Sequence, residues 1–203
     1  MYLYLIASIV ASLALTGILL RIFIPVLKSV HLGQPISEIG PRWHKSKEGT
    51  PTLGGIAFIF AFVLCACVIS LIIPSKLDLP RLIITLATTV LFGIIGAIDD
   101  AAKLRKRENE GLTAPQKFLL QLVVSAAYVG VMAYKGYVST VMSIPFTDIQ
   151  IDFGFFYYII SVILICGIVN SVNLTDGIDG LAASTVAVVM AFFAVVGVIA
   201  DNN

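Results

Sequence analysis

An all-α polytopic membrane protein with six transmembrane helices is the fold class this sequence predicts, and three features predict it. Apolar residues fill 59% of the 203 positions and charged residues only 12%, where about 25% charged is usual for a soluble domain. The apolar residues gather into six runs, at 2–27, 53–73, 82–98, 118–134, 155–172 and 181–200. Each is close to the roughly 20 residues that a helix needs to cross a bilayer. Lysine and arginine fall unevenly in the connectors between these runs, as they do around membrane spans. A soluble fold of this size has too little interior for so much apolar surface, so lipid must serve as solvent. In lipid every backbone polar group must be bonded within the segment, which makes each run a helix.

Taken in order, the run at 2–27 is too long for a leader and no small-residue cleavage site follows it, so it is read as the first span. The connectors 28–52 and 99–117 hold nine cations: Lys28, Arg42, Lys45, Lys47, Lys103, Arg105, Lys106, Arg107 and Lys117. The connectors 74–81 and 135–153 hold three: Lys76, Arg81 and Lys135. The excess marks the first pair as cytoplasmic and puts the N-terminus outside. The short segment 173–180 then also faces the cytoplasm. The expected location is a membrane crossed several times, with 1–203 forming one transmembrane domain. The alternating run Asp148-Ile149-Gln150-Ile151-Asp152-Phe153 predicts a small outer strand, in a β-hairpin turning near Pro145. A net charge of +1 gives no field that would draw nucleic acid. Cys65, Cys67 and Cys166 lie in apolar runs without metal-type spacing and read as small buried hydrophobes.

Three polar clusters interrupt the apolar pattern. The third run ends in Asp99-Asp100, with Lys103 one helical turn beyond Asp99. Two adjacent acids at an interface repel each other, so they must be solvated, paired with lysine or bound to a cation. Successive helical residues point about 100° apart, which gives the two carboxylates different tasks. The second cluster spaces Asn170, Asn173, Asp176 and Asp179 by three, a polar stripe on a helix or tight helical turn. Such amides and carboxylates suit a hydrated Mg²⁺, a diphosphate or a nucleoside. Gly177 and Gly180 let the backbone turn there. A plain connector has no need of asparagines that begin inside the preceding span. The third cluster runs from Gly40 through Trp43, His44, Lys45 and Lys47 to Thr52-Leu53-Gly54-Gly55. Its cations and backbone N–H groups can hold phosphate oxygens. Its simpler reading is a cytoplasmic loop with Thr52 as the N-cap of the next helix. Thr113 reads as another helix cap, in Gly111-Leu112-Thr113-Ala114-Pro115-Gln116.

Together, Gly49-Thr50-Pro51-Thr52-Leu53-Gly54-Gly55, Asp99-Asp100 with Lys103, Gly111 through Lys117, and Asn170 through Gly180 resemble the polyprenyl-phosphate N-acetylhexosamine-1-phosphate transferase superfamily. They occur in family order over most of the chain. The Gly-Thr-Pro-Thr stretch is similar to the muramoyl-pentapeptide branch rather than the N-acetylglucosamine branch. Ala101 departs from the aromatic common after the paired acids, and Ser37 and Ile39 interrupt an otherwise familiar loop.

The resemblance implies a ten-helix bundle, usually a homodimer, of which these six helices are the first part. A later family aspartate and a histidine-rich cytoplasmic loop do not occur within the 203 residues, so the chain is expected to be a fragment or to be completed by another piece. The implied reaction passes phospho-N-acetylmuramoyl-pentapeptide from its UDP conjugate to undecaprenyl phosphate and releases UMP, with Mg²⁺ as cofactor. In that scheme Asp99 and Asp100 are catalytic, and Asp100 and Asp176 serve the metal or its waters. Lys47, Thr52, Lys103, Asn170, Asn173 and Asp179 hold the nucleotide or the phosphates. The alternatives are a sister enzyme using UDP-N-acetylglucosamine and an inactive fragment. Ion-coupled transport, a different class of function, requires charges near the bilayer midplane. Here the acids stand at span ends.

Overall fold

The computed structural model describes residues 2–29, 52–74, 77–106, 111–144, 147 and 149–201. The elements in chain order are α1 (Tyr2–Ser29), α2 (Gly55–Ile72), α3 (Leu79–Lys106), α4 (Ala114–Tyr134), β1 (Val141–Ser143), β2 (Gln150–Asp152), α5 (Phe155–Thr175) and α6 (Leu181–Asp201). All six helices are long and apolar enough to cross a bilayer. The chain is a multi-pass, all-α membrane protein with one small two-stranded sheet among its described residues.

α3 shows why apolar runs and helices differ in length. Its 28 residues extend about 42 Å at 1.5 Å each, against a hydrocarbon core of about 30 Å. Hydropathy marks the slab of lipid at 82–98, whereas hydrogen bonding carries the helix through Asp99 and Asp100 to Lys106. The acid pair therefore sits inside a helix rather than at its end.

Two compact units divide between Val138 and Ser139. In the first, α3 packs against both α2 and α4. α2 contributes Ala57 and Ala61 to the core. A Cβ on Gly93 would stand 2.5 Å from the Ile59 side chain, so these small residues let α2 and α3 approach closely. α4 buries Gln121, Ser125, Val129 and Met132 at helical spacing along one face. In the second unit α5 packs on α6, and β1 pairs with β2. The strands are antiparallel, with Val141 opposite Asp152, Met142 opposite Ile151 and Ser143 opposite Gln150. The alternating run at 148–153 thus contains a strand, over Gln150–Asp152, while Asp148 and Pro145, where the turn is expected, lie outside the described residues.

Candidate active site at the ends of α2, α3 and α4

Asp99 is 5% exposed, and every oxygen of its carboxylate is taken. The Leu112 N–H donates to Oδ1 at 2.9 Å. The Lys103 and Lys117 ammonium groups reach Oδ2 at 3.0 and 3.2 Å. Local structure accounts for each partner. Lys103 is one turn farther along α3. Lys117 is placed by the start of α4, where Thr113 Oγ1 accepts from the Gln116 N–H and Gln116 Oε1 accepts from the Thr113 N–H. This capping box, with Pro115 in the first turn, holds the entry to α4. Thr113 is the cap that its sequence context predicts.

Gly111 lets the loop come this close. A Cβ there would collide with both the backbone carbonyl and the carboxylate of Asp99. Asp99 thereby fastens the end of α3 to the beginning of α4.

Asp100 faces elsewhere, as adjacent helical residues must. Its Oδ1 meets Lys103 Nζ at 3.3 Å, and its Oδ2 accepts from the Leu53 N–H at 3.3 Å. Leu53 is left-handed, with φ of 68°, a conformation that costs a branched residue about 1 kcal/mol or more. It directs this N–H to Asp100 and so ties the start of α2 to α3. Two carboxylates and two ammonium groups, Asp99, Asp100, Lys103 and Lys117, thus form a balanced cluster.

Thr52 departs from its expected role as a cap. The N-cap of α2 is Gly54, which makes no side-chain capping bond. The turn through Leu53 sets Thr52 two residues too early. Its hydroxyl is buried with no hydrogen-bond partner among the described residues. Leaving a buried hydroxyl unbonded is unfavourable by about 1–3 kcal/mol, which makes it a natural acceptor or donor for a bound group.

The second unit carries the asparagine–aspartate stripe. Asn170, half-buried, and Asn173, exposed, lie one turn apart on α5. Asp176 caps the helix with φ −80° and ψ 49°, and Asp179 follows in a turn. The spacing of three therefore runs along the helix for the asparagines and leaves it for the acids. Gly180 has φ of 79°, as the reversal into α6 requires. Lys47 lies outside the described residues, as do His44 and Trp43.

Two residues in and beside the cluster were not named as site residues by sequence reasoning: Lys117, 18 positions from Asp99, and Gly111, read only as part of a helix-start motif. Their only signal was the Gly111–Lys117 motif itself.

Magnesium can be weighed against these donors. Asp99 does not fit a metal, because protein donors already take both of its oxygens. Asp100 fits better: it is half-buried, its two contacts are long, and Mg²⁺ commonly takes one or two carboxylates together with waters and substrate phosphates. Among the described residues no three His, Cys, Asp or Glu side chains cluster as an all-protein cage.

Comparison with known proteins adds an independent finding. Residues 82–203 match the family described as glycosyl transferase family 4. A Clostridium perfringens protein named phospho-N-acetylmuramoyl-pentapeptide-transferase is 41% identical over 93% of this chain and 57% of its own length. Proteins of the same name from Oceanobacillus iheyensis and Halalkalibacterium halodurans are 38% and 39% identical, each over 95% of this chain and 58% of their own length. The chain thus spans somewhat over half the length of the curated relatives it matches.

Proposed function

We propose a sugar-phosphate transfer at the membrane surface for this chain, which belongs to glycosyl transferase family 4. The donor is the UDP conjugate of N-acetylmuramoyl-pentapeptide, and the acceptor is undecaprenyl phosphate. An oxygen of the lipid phosphate attacks the phosphorus that bears the sugar. A new P–O bond forms, the bond to the bridging oxygen of the donor diphosphate breaks, and UMP departs with that oxygen. The product is the first lipid-linked precursor of peptidoglycan. The observation that carries this reading is the identity of about 40% to transferases of that name across more than nine-tenths of the chain.

The acid–lysine cluster suits the chemistry. A phosphate monoester has a second pKa near 6 and is largely ionised at neutral pH, so the nucleophile needs orientation more than a base. Asp99, buried under two ammonium groups, is built to position Lys103 and Lys117. Those cations then face incoming phosphate and offset the repulsion between two anionic substrates. The Thr52 hydroxyl would bond a phosphate oxygen, and Lys47 would add a further cation. Asn170, Asn173 and Asp179 would hold the nucleotide or sugar. Asp100 would hold Mg²⁺, which when bound neutralises the diphosphate and the leaving nucleotide, and Asp176 is a separate candidate for the metal or its waters. A homodimer in the bacterial inner membrane, with the cluster facing the cytoplasm, completes the reading.

The test is an assay of the purified full-length protein with undecaprenyl phosphate and Mg²⁺. UDP-N-acetylmuramoyl-pentapeptide should release UMP and yield a lipid diphosphate. Turnover with UDP-N-acetylglucosamine instead would assign the sister reaction, and no UMP from either donor would overturn the proposal.

A further inference from the structure

The hairpin follows α4 in the chain and holds none of the residues assigned to the proposed transfer. Partners across an antiparallel pair share a face, and successive residues alternate. The Ile144 N–H donates to the Ile149 carbonyl and the Phe153 N–H to the Thr140 carbonyl, extending the register by one residue at each end. One face therefore carries Met142, Ile144, Ile149, Ile151 and Phe153, with Thr140 at its edge opposite Phe153. The other carries Val141, Ser143, Gln150 and Asp152. The five apolar side chains are 36% to 56% exposed. A two-stranded hairpin is at best marginally stable in water by itself, and an uncovered apolar face makes its position there worse.

Chain continuity says what covers this face. Gly154 alone separates the hairpin from α5, a membrane span. The first two residues of that span, Phe155 and Phe156, are 72% and 68% exposed, and Tyr157 and Tyr158 follow. Aromatic residues at the end of a span sit at the level of the lipid headgroups. Segment 136–154 contains no lysine or arginine, so attraction to anionic headgroups has no part in holding it.

We propose that the apolar face of the β1–β2 hairpin rests on the lipid interface as an anchor, with the Ser143, Gln150 and Asp152 face turned to water. Seated there, the hairpin fixes the depth of the first turn of α5. Because α5 is a continuous helix of 21 residues, it thereby also sets the height at which Asn170 and Asn173 meet the opposite interface. Lipid contact of this kind depends on buried apolar area and not on ionic strength.

Trp43 is the single tryptophan of the sequence. On a Trp43→Phe background of the full-length protein, one tryptophan is introduced at Met142 or Ile151, or on the other face at Ser143 or Gln150. Each variant is placed in phosphatidylcholine nanodiscs with plain or acyl-brominated lipid. M142W and I151W should emit to the blue and be quenched several-fold more by brominated lipid than S143W and Q150W, equally at low and high salt. Water-like emission from both faces would overturn the proposal. So would blue-shifted emission at 142 and 151 without bromine quenching, the sign of cover by a second copy or another part of the protein. Two positions on each face keep the comparison readable when one variant fails to fold.

Discussion

Asp99 accepts from a backbone N–H and two lysines while almost wholly buried, so its removal acts on stability as well as chemistry. Asp99→Asn keeps an acceptor for the Leu112 N–H but leaves two ammonium groups without their shared charge. Unpairing buried charges commonly costs about 3–5 kcal/mol. With Lys103 and Lys117 partly solvated, at 19% and 15% exposure, the expected loss is about 2–3 kcal/mol, below that range. It should appear as a lowered unfolding midpoint in detergent, together with a fall of orders of magnitude in turnover. An unchanged midpoint would show that the cluster contributes no stability. Thr52 predicts the opposite separation. Thr52→Val removes a buried hydroxyl that has no partner among the described residues, at nearly constant volume, so thermal stability should hold or rise while turnover falls. Thr52→Ser should retain most activity. Equal activity of the two variants would remove the hydroxyl from the site.

Among the elements, the α3–α4 connection is the most constrained. The Thr113–Gln116 box starts α4, Asp99 ties the loop to α3, and Gly111 leaves space for that contact. Gly111→Ala forces a methyl group against the Asp99 carbonyl and carboxylate, an overpacking worth about 1–3 kcal/mol. The loop must withdraw, so exchange of the Leu112 amide should quicken even where the variant still folds. An unchanged amide exchange rate would contradict the close approach. Thr113 was readable as a cap because a capping box is a local pattern of four residues. Thr52 was misleading for the same reason: it has the right residue type near a helix start, but the left-handed turn at Leu53 moves the start to Gly54.

For the whole molecule, the cation count predicts how the connectors are ordered about the membrane. On a background with Cys65, Cys67 and Cys166 replaced by alanine, a single cysteine at Ser143 should react with an impermeant maleimide added outside intact cells. One at Arg105 should react only after the cells are opened. The reverse pattern would invert the topology and move the acid–lysine cluster away from the soluble donor of the proposed reaction. Two positions at the surface are enough for this decision, because six spans alternate in direction.

The six spans, the helix cap at Thr113, the strand within 149–153 and the candidate residues Asp99, Asp100 and Thr52 were readable in the amino-acid order. Each depends on short-range physics: the cost of polar backbone in lipid, the period of a helix or strand, or a few adjacent side chains. The folded chain was needed to join Asp99 with Leu112 and Lys117 across 13 and 18 positions, and Asp100 with Leu53 across 47. Packing of α3 against α2 and α4 selects those partners. No local pattern records them, since the energy of each pairing depends on burial that exists only once the helices meet.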